Sequence, residues 1–517
     1  MLHGNPVYSR SLAWYYCIMD YAGMKVLIMG LGLHGGGLES ARFLLKRGAT
    51  LTVTDLRDEQ TLAPSIEQLE KAFGQASVRY VLGKHEIDDF KNADMVIKNP
   101  GVRPDSPFLQ AARCIETDIS LFLAVSPARL TAVTGSKGKS STASALHWVL
   151  AHSDGRGTGG KAYLGGNITV SPLAFLDDLR PDDDVVLELS SWQLGDLRGR
   201  LNADGNPLLK PKAAVLTAIM PDHLDRYGTM EAYVADKRVI YQGQDADDFT
   251  VAGDDDWGKS FLAESKAAPL VYSAAPLPEG IAGGWVEGNG PGFARLHGGE
   301  KPIELVPAQL LVPGRHQKQN LLAAGLALLG LGLPPETIKK GLGSFPGIEH
   351  RLEMFHEARG IAFYNDSAAT IPEAAAAALE ALGDTNGDGR GGNSRLILVT
   401  GGTDKNLDFS PLVNAMRTGQ TANRLAVILL AGTGSDKLCA LLADAGIAPL
   451  GPFDQLDAAV AAALEAAKPG DRVLLSPGCA SFGMFLNEFD RGRKWKEAVK
   501  NATEFLPRSY TEFNKEF

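Results

Sequence analysis

Leu130-Thr-Ala-Val-Thr-Gly135-Ser-Lys-Gly-Lys139-Ser-Ser141 reads as a buried strand that runs into a glycine-lysine-serine turn, and Thr142 to Leu150 continues it as a helix. A strand, a turn of this composition and a helix, in that order, form a cradle of main-chain amides for phosphates. One lysine neutralises the outer phosphates and a hydroxyl faces Mg²⁺. Lys139 and Ser140 take those two roles, with Gly135, Ser136, Lys137, Gly138 and Ser141 completing the nucleotide loop.

The same grammar extends in both directions. Upstream, apolar runs at Val26 to Met29, Leu51 to Thr54 and Met95 to Ile97 alternate with amphipathic stretches such as Leu38 to Arg47. Downstream the runs continue at 185–189, 213–217 and 249–252, and a third series comprises 396–400, 427–431 and 473–476. Strands alternating with helical patterns predict parallel sheets, so the fold class is α/β in three successive domains. The first and last are expected to be Rossmann-like and the central one a phosphate-loop ATPase. Their expected spans are 24–125, 126–347 and 348–510, preceded by a 1–23 extension that carries no motif and need not belong to the native protein. The length of 517 residues fits several domains better than one core.

Composition narrows the function classes. Apolar residues make up 44% and charged residues 22%, and a net charge of -10 gives no broad attraction to nucleic acid. Cys17, Cys114, Cys439 and Cys479 have no paired spacing, which points to a reducing, cytoplasmic setting rather than to zinc or a disulfide framework. No apolar run reaches the ~18 residues of a membrane span. The glycine-rich stretch 383–394 imitates the start of a calcium loop, but Arg395 stands where the bidentate acid belongs, so calcium is not expected.

A second nucleotide signal is Gly30-Leu31-Gly32-Leu-His34-Gly35, between the first strand and first helix, with Asp55 ending the second strand and Arg57 beside it. The pattern alone fits any dinucleotide-like ligand, a nicotinamide cofactor of a dehydrogenase included.

The later motifs decide. Gly165-Gly166-Asn167, Glu188-Leu-Ser190-Ser-Trp-Gln193, Asp222-His223-Leu-Asp225, Ala232-Tyr233-Val-Ala-Asp-Lys237, Gly314-Arg-His-Gln-Lys-Gln-Asn320 and Pro346-Gly-Ile-Glu-His350-Arg351 follow the phosphate loop in the order seen in Mur ligases. The chain therefore resembles that family from Met24 to about Val499. The resemblance implies an ATP-dependent reaction in which a UDP-N-acetylmuramoyl-L-alanine carboxylate is phosphorylated and an amine displaces the phosphate. It also implies two Mg²⁺ ions, held by Ser140, Glu188, His223 and a carbamylated Lys237, and a catalytic role for Lys139, Lys237 and His223. Asn320, Arg351 and Asp366 are implied at the nucleotide, and Gly30 to Gly35, Asp55, Arg57, Asn99, Gly101, Asn167, Ser190 and Gln193 at the UDP substrate.

Asp366-Ser-Ala-Ala-Thr370, Gly401-Gly-Thr-Asp-Lys405 and Ser476-Pro-Gly-Cys-Ala-Ser481-Phe482 resemble the glutamate-adding branch. That likeness places Thr370, Lys405, Ser481 and Phe482 around the incoming amino acid, D-glutamate, with an L-glutamate-adding relative as the alternative. A monomer, no nucleic acid and no membrane insertion complete the expectation. Lys137, Gln317, Ala368 and Glu488 depart from the family pattern.

Overall fold

The computed structural model describes residues 21–33, 35–153, 159–168, 170–288, 290–296, 301–312, 314–383, 394–418 and 424–504. Most of the 383–394 stretch lies outside these residues, as does His34.

Three sheets account for the apolar runs. The first has five parallel strands, in spatial order Val78–Leu82, Thr50–Asp55, Lys25–Met29, Met95–Lys98 and Ile115–Glu116. This is a 3-2-1-4-5 order, that of a Rossmann domain, with its switch point beside the first strand. The second sheet has nine strands in the order Ile303–Val306, Gly292–Arg295, Gly283–Val286, Ala268–Ser273, Phe249–Gly253, Ala213–Leu216, Arg129–Thr134, Asp184–Glu188 and Ala162–Gly166. The third has six: Glu353–Ala358, Ile361–Asn365, Arg472–Leu475, Leu396–Gly401, Leu425–Leu430 and Leu450–Phe453, with only the first pair antiparallel.

Residues 21–285 fall within one compact unit, together with 293–305 and 320–338, while 339–504 lie in the other. Within the first unit a continuous set of buried apolar side chains runs from Val26 on the first sheet and the helix residues Leu44 and Phe122 to Leu187 on the second sheet and the helix residues Leu194 and Tyr241. In the second unit the period-2 alternation of a strand makes two cores. Leu396 and Leu398 pack with Leu412 and Leu438 on one face, and Ile397 and Val399 pack with Trp495 and Val460 on the other. Strands covered on both faces read as unbroken apolar runs, which is why their sequence signal is strong.

The expected boundary at residue 23 cuts through packed residues. Tyr21 is 2% exposed, meets Phe43 edge-to-face at 5.9 Å, and its carbonyl accepts from Met24 N at 3.0 Å. Among the described residues no helix is long and apolar enough to cross a membrane.

Candidate active site

The phosphate loop is shaped by two glycines that nothing larger could replace. A Cβ on Gly135 would lie 1.9 Å from Thr217 Oγ1, and one on Gly138, at φ 92°, would lie 2.3 Å from Asn320 Oδ1. The Asn320 side chain therefore lies directly against the loop. The helix Lys139–His152 begins without a side-chain cap, so its first N–H groups face the hollow of the loop. Lys139 folds into that hollow, its Nζ donating to Gly135 O at 3.0 Å and Ser136 O at 3.1 Å. Ser136 Oγ is committed to structure, bonding Met220 O at 2.9 Å and Tyr233 OH at 2.9 Å. Lys137 is exposed.

Beside the loop lies Lys237, the last residue of the helix Met230–Lys237 and only 1% exposed. Its Nζ donates to Gly135 O at 2.8 Å and lies 4.6 Å from the centre of the Tyr233 ring. Burial, then the neighbouring Lys139 charge, pulls its pKa down to about 7. Glu188, 1% exposed at the end of its strand, accepts from Asn167 Nδ2 at 2.8 Å through Oε1. Its Oε2 is buried and has no hydrogen-bond partner among the described residues. An unpaired buried carboxylate oxygen is costly, and a cation would satisfy it.

His223 is not buried with Glu188. Its side chain is 44% exposed, with the backbone at φ 52° and the ring 5.0 Å from that of Trp192. Ser190 and Gln193 form a capping box at the start of the helix Ser191–Leu197. Ser190 Oγ accepts from Gln193 N at 3.2 Å and Gln193 Oε1 accepts from Ser190 N at 3.0 Å.

On the first sheet Asp55 organises the glycine loop. Its Oδ2 accepts from Leu31 N at 3.0 Å and Gly32 N at 3.4 Å, and its Oδ1 from Arg57 N at 3.0 Å. Gly30 backs onto Asn99, whose Oδ1 accepts from Gly101 N at 3.0 Å. The closest crossing is at a glycine the sequence reading missed: a Cβ on Gly37 would stand 2.2 Å from Gly30 O. Its signal was the extra glycine after Gly35, where helix must pack on loop. Arg226 links this region to the central sheet, stacking 4.2 Å over Trp192 and donating to Gly101 O at 3.4 Å.

In the second unit the ends of three strands converge. Thr403 and Ala480 pair through their main chains, which brings the Lys405 loop against the Ser481 loop. Gly478 N donates to Ala369 O at 2.9 Å, joining the Thr370 loop. Lys405 is exposed, with Nζ 5.8 Å from the centre of the Phe482 ring, and Ser481 is buried. Asp366 accepts from Leu352 N at 3.1 Å and Ser476 Oγ at 2.7 Å, and burial raises its carboxyl to about 7. Arg351 is exposed nearby and its charge acts on Asp366. Glu488 opens the last helix, and its carbonyl accepts from Ser367 Oγ at 2.7 Å. Glu349, His350 and Glu353 also converge, but Lys496 already bonds both carboxylates, at 2.7 and 3.0 Å.

Residues 24–120 match the N-terminal domain of MurD-like Mur ligases, 133–328 the Mur ligase middle domain, and 350–479 the glutamate ligase domain of Mur ligases. A UDP-N-acetylmuramoylalanine--D-glutamate ligase of Treponema pallidum (strain Nichols) is 40% identical, over 92% of this chain and 98% of that protein. The chain belongs to the Mur ligase family. Another ligase of the same name, from Roseiflexus sp. (strain RS-1), is 38% identical over 94% of this chain and all of its own length. In fold, this Mur ligase is similar to the UDP-N-acetylmuramate-alanine ligase MurC of Thermotoga maritima, with TM-score 0.52 and 17% identity over 93% of the chain and 100% of that structure. A MurF structure from Acinetobacter baumannii aligns with TM-score 0.52 and 16% identity, over 96% of this Mur ligase and all of that chain.

Proposed function

We propose that the chain is the ATP-dependent ligase that joins D-glutamate to UDP-N-acetylmuramoyl-L-alanine in peptidoglycan precursor synthesis. The reaction type rests on one arrangement: the phosphate loop, the buried Lys237 amine against Gly135 O and the unpaired Glu188 oxygen beside Asn167. The choice of glutamate rests on the relatives named above and on Lys405 beside Phe482.

An amine cannot displace oxide from a carboxylate, so a better leaving group must be made first. A carboxylate oxygen of the UDP substrate attacks the γ-phosphorus of ATP and ADP departs. The glutamate nitrogen then attacks the acyl carbon, inorganic phosphate leaves with the electron pair of the broken C–O bond, and the amine loses a proton. Lys139 and the amides opening its helix hold the phosphates and spread the developing charge. Asn320, Arg351 and Asp366 would position the nucleotide.

Two Mg²⁺ ions belong to this reading: Ser140 would hold one at the nucleotide, and Glu188, whose buried Oε2 has no partner among the described residues, would hold the second with His223 and Lys237. When bound, these ions supply Lewis-acid neutralisation of the phosphoryl oxygens. Lys237 can serve only as an anion. An amine titrating near 7 is largely free to take up CO₂, losing a proton and becoming a carbamate that bears the required negative charge.

The UDP moiety is assigned to Gly30–Gly35, with Asp55 and Arg57 at the loop rim and Asn99 and Gly101 opposite. Asn167, Ser190 and Gln193 face the sugar end. Thr370, Lys405, Ser481 and Phe482 receive glutamate, Lys405 supplying the charge that a buried carboxylate needs. The three domains of the reading end near 125 and 347, and the protein works as a cytoplasmic monomer.

An isotope experiment tests the chemistry. With ¹⁸O in the alanyl carboxylate, one labelled oxygen should appear in inorganic phosphate for each amide formed. Phosphate free of label would exclude the acyl-phosphate route.

A further inference from the structure

Two opposite charges are buried inside the first unit, and neither has a role in the chemistry described above. Lys98 is 1% exposed at the end of the strand Met95–Lys98, and Asp196 is 5% exposed on the helix Ser191–Leu197. Their Nζ and Oδ2 atoms are 2.6 Å apart. A second ion pair lies alongside. Arg200 donates to Glu116 Oε2 at 2.5 Å, to Ile115 O at 2.8 Å and to Asp196 O at 2.7 Å. Lys98 and Glu116 belong to the first sheet, Asp196 and Arg200 to the segment that follows Ser190 and Gln193.

Burying ions is expensive, and an apolar pair of equal volume would hold the two bodies together as well or better. What an ion pair adds is direction: a 2.6 Å contact fixes one atom against another, whereas apolar surfaces slide. The residues on either side show what is being fixed. Lys98 precedes Asn99, whose side chain shapes the Gly101 turn and backs Gly30. Asp196 follows Gly195, which lies so close to the neighbouring helix that a Cβ there would stand 2.6 Å from Asp236 Oδ2. Asp236 accepts from Tyr227 OH at 2.8 Å and directly precedes Lys237. A short chain of rigid contacts thus runs from the glycine-loop wall through one helix to the catalytic amine.

We propose that Lys98 and Asp196 are positioning residues for the UDP substrate, setting the register of the Asn99–Gly101 turn against the helix Ser191–Leu197 and so against Lys237. This rests on the assignment of the glycine loop to UDP.

Lys98→Met and Asp196→Asn each break the pair, and Lys98→Met/Asp196→Leu replaces it with apolar volume. The single variants should raise KM for UDP-N-acetylmuramoyl-L-alanine about tenfold or more while KM for ATP stays within about twofold. The double variant should recover thermal stability but keep the raised KM, and Lys98→Arg should restore part of it. If the singles do not fold, the double decides alone. A folded double variant with KM for the UDP substrate within about twofold of the parent would overturn the proposal, as would equal rises for both substrates. Hydrogen exchange separates this from the functional reading. Segments 97–102 and 190–197 should exchange faster in the double variant whether or not the parent turns over this substrate, and unchanged exchange would overturn the proposal. A parent that ignores the UDP substrate would instead refute the assigned function.

Discussion

At the phosphate loop Lys237 is 1% exposed and Glu188 keeps an unpaired oxygen, whereas the Lys405 group of the second unit lies open, with Phe482 59% exposed. The first region is built and desolvated before any ligand arrives, at the cost of an amine shifted to about 7. The second offers a cation and a ring whose loops are joined by the Thr403–Ala480 main-chain pairing and by the Thr403 hydroxyl, which donates to Phe482 O. Charge that must act on a transition state is preorganised in a dry site, where it is strongest. Charge that selects a soluble amino acid can remain in water until the substrate covers it.

The contrast can be broken most directly at the loop. Lys139→Ala should cut kcat by about 10²-fold or more with the fold retained, because the ammonium lies in the hollow of the loop against Gly135 O and Ser136 O, where it acts on developing phosphate charge. Near-normal ADP release by the folded variant would refute the phosphate-loop assignment.

Lys237→Ala should be comparably inactive and regain activity with short-chain carboxylates, and a fully active variant would exclude a carbamate. The pH dependence has a definite sign. Below pH 7 the neutral amine, the form that reacts with CO₂, declines about tenfold per unit, so the ¹³C carbamate signal should fade as pH drops through 7. Stability moves the same way. The lowered pKa means that the fold carries the full penalty of a buried ammonium below about 7, and the penalty is relieved as pH rises toward the unfolded value of 10.5. A carbamate signal that strengthened on acidification would contradict this.

Lys405→Ala should act on one substrate, raising KM for glutamate about tenfold while KM for ATP changes little, as expected for the loss of a charge partner. Equal effects on both would place Lys405 elsewhere. The smallest effect concerns the body of the protein. Tyr21 OH is buried with no partner among the described residues, so Tyr21→Phe should be neutral or stabilising by about 1 kcal/mol. Tyr21→Ala should cost about 3 kcal/mol, and a melting curve unchanged by Tyr21→Ala would show that the ring contributes nothing.

Strands such as Leu396–Gly401 were legible because burial on both faces leaves an unbroken apolar run. The phosphate loop was legible because its glycines and lysine serve one geometry. Short strands such as Gly283–Val286 and Gly292–Arg295 were not: glycine stands where strand propensity would be read, and the close approach to Val271 and Val306 that demands it is a tertiary fact. Tyr21 looked like part of a motif-free leader because one aromatic residue carries no periodicity. The exposure of His223 was hidden too, since a histidine beside an acid reads alike at a surface and in a core. The Lys98–Asp196 pair spans 98 positions, and no local pattern announces it.

ADP release measured with UDP-N-acetylmuramoyl-L-alanine and a panel of D- and L-amino acids should be fastest with D-glutamate, and Lys405→Ala should abolish that preference. Faster turnover with alanine or lysine than with either glutamate isomer would contradict the account, and a preference for L-glutamate would contradict its stereochemistry.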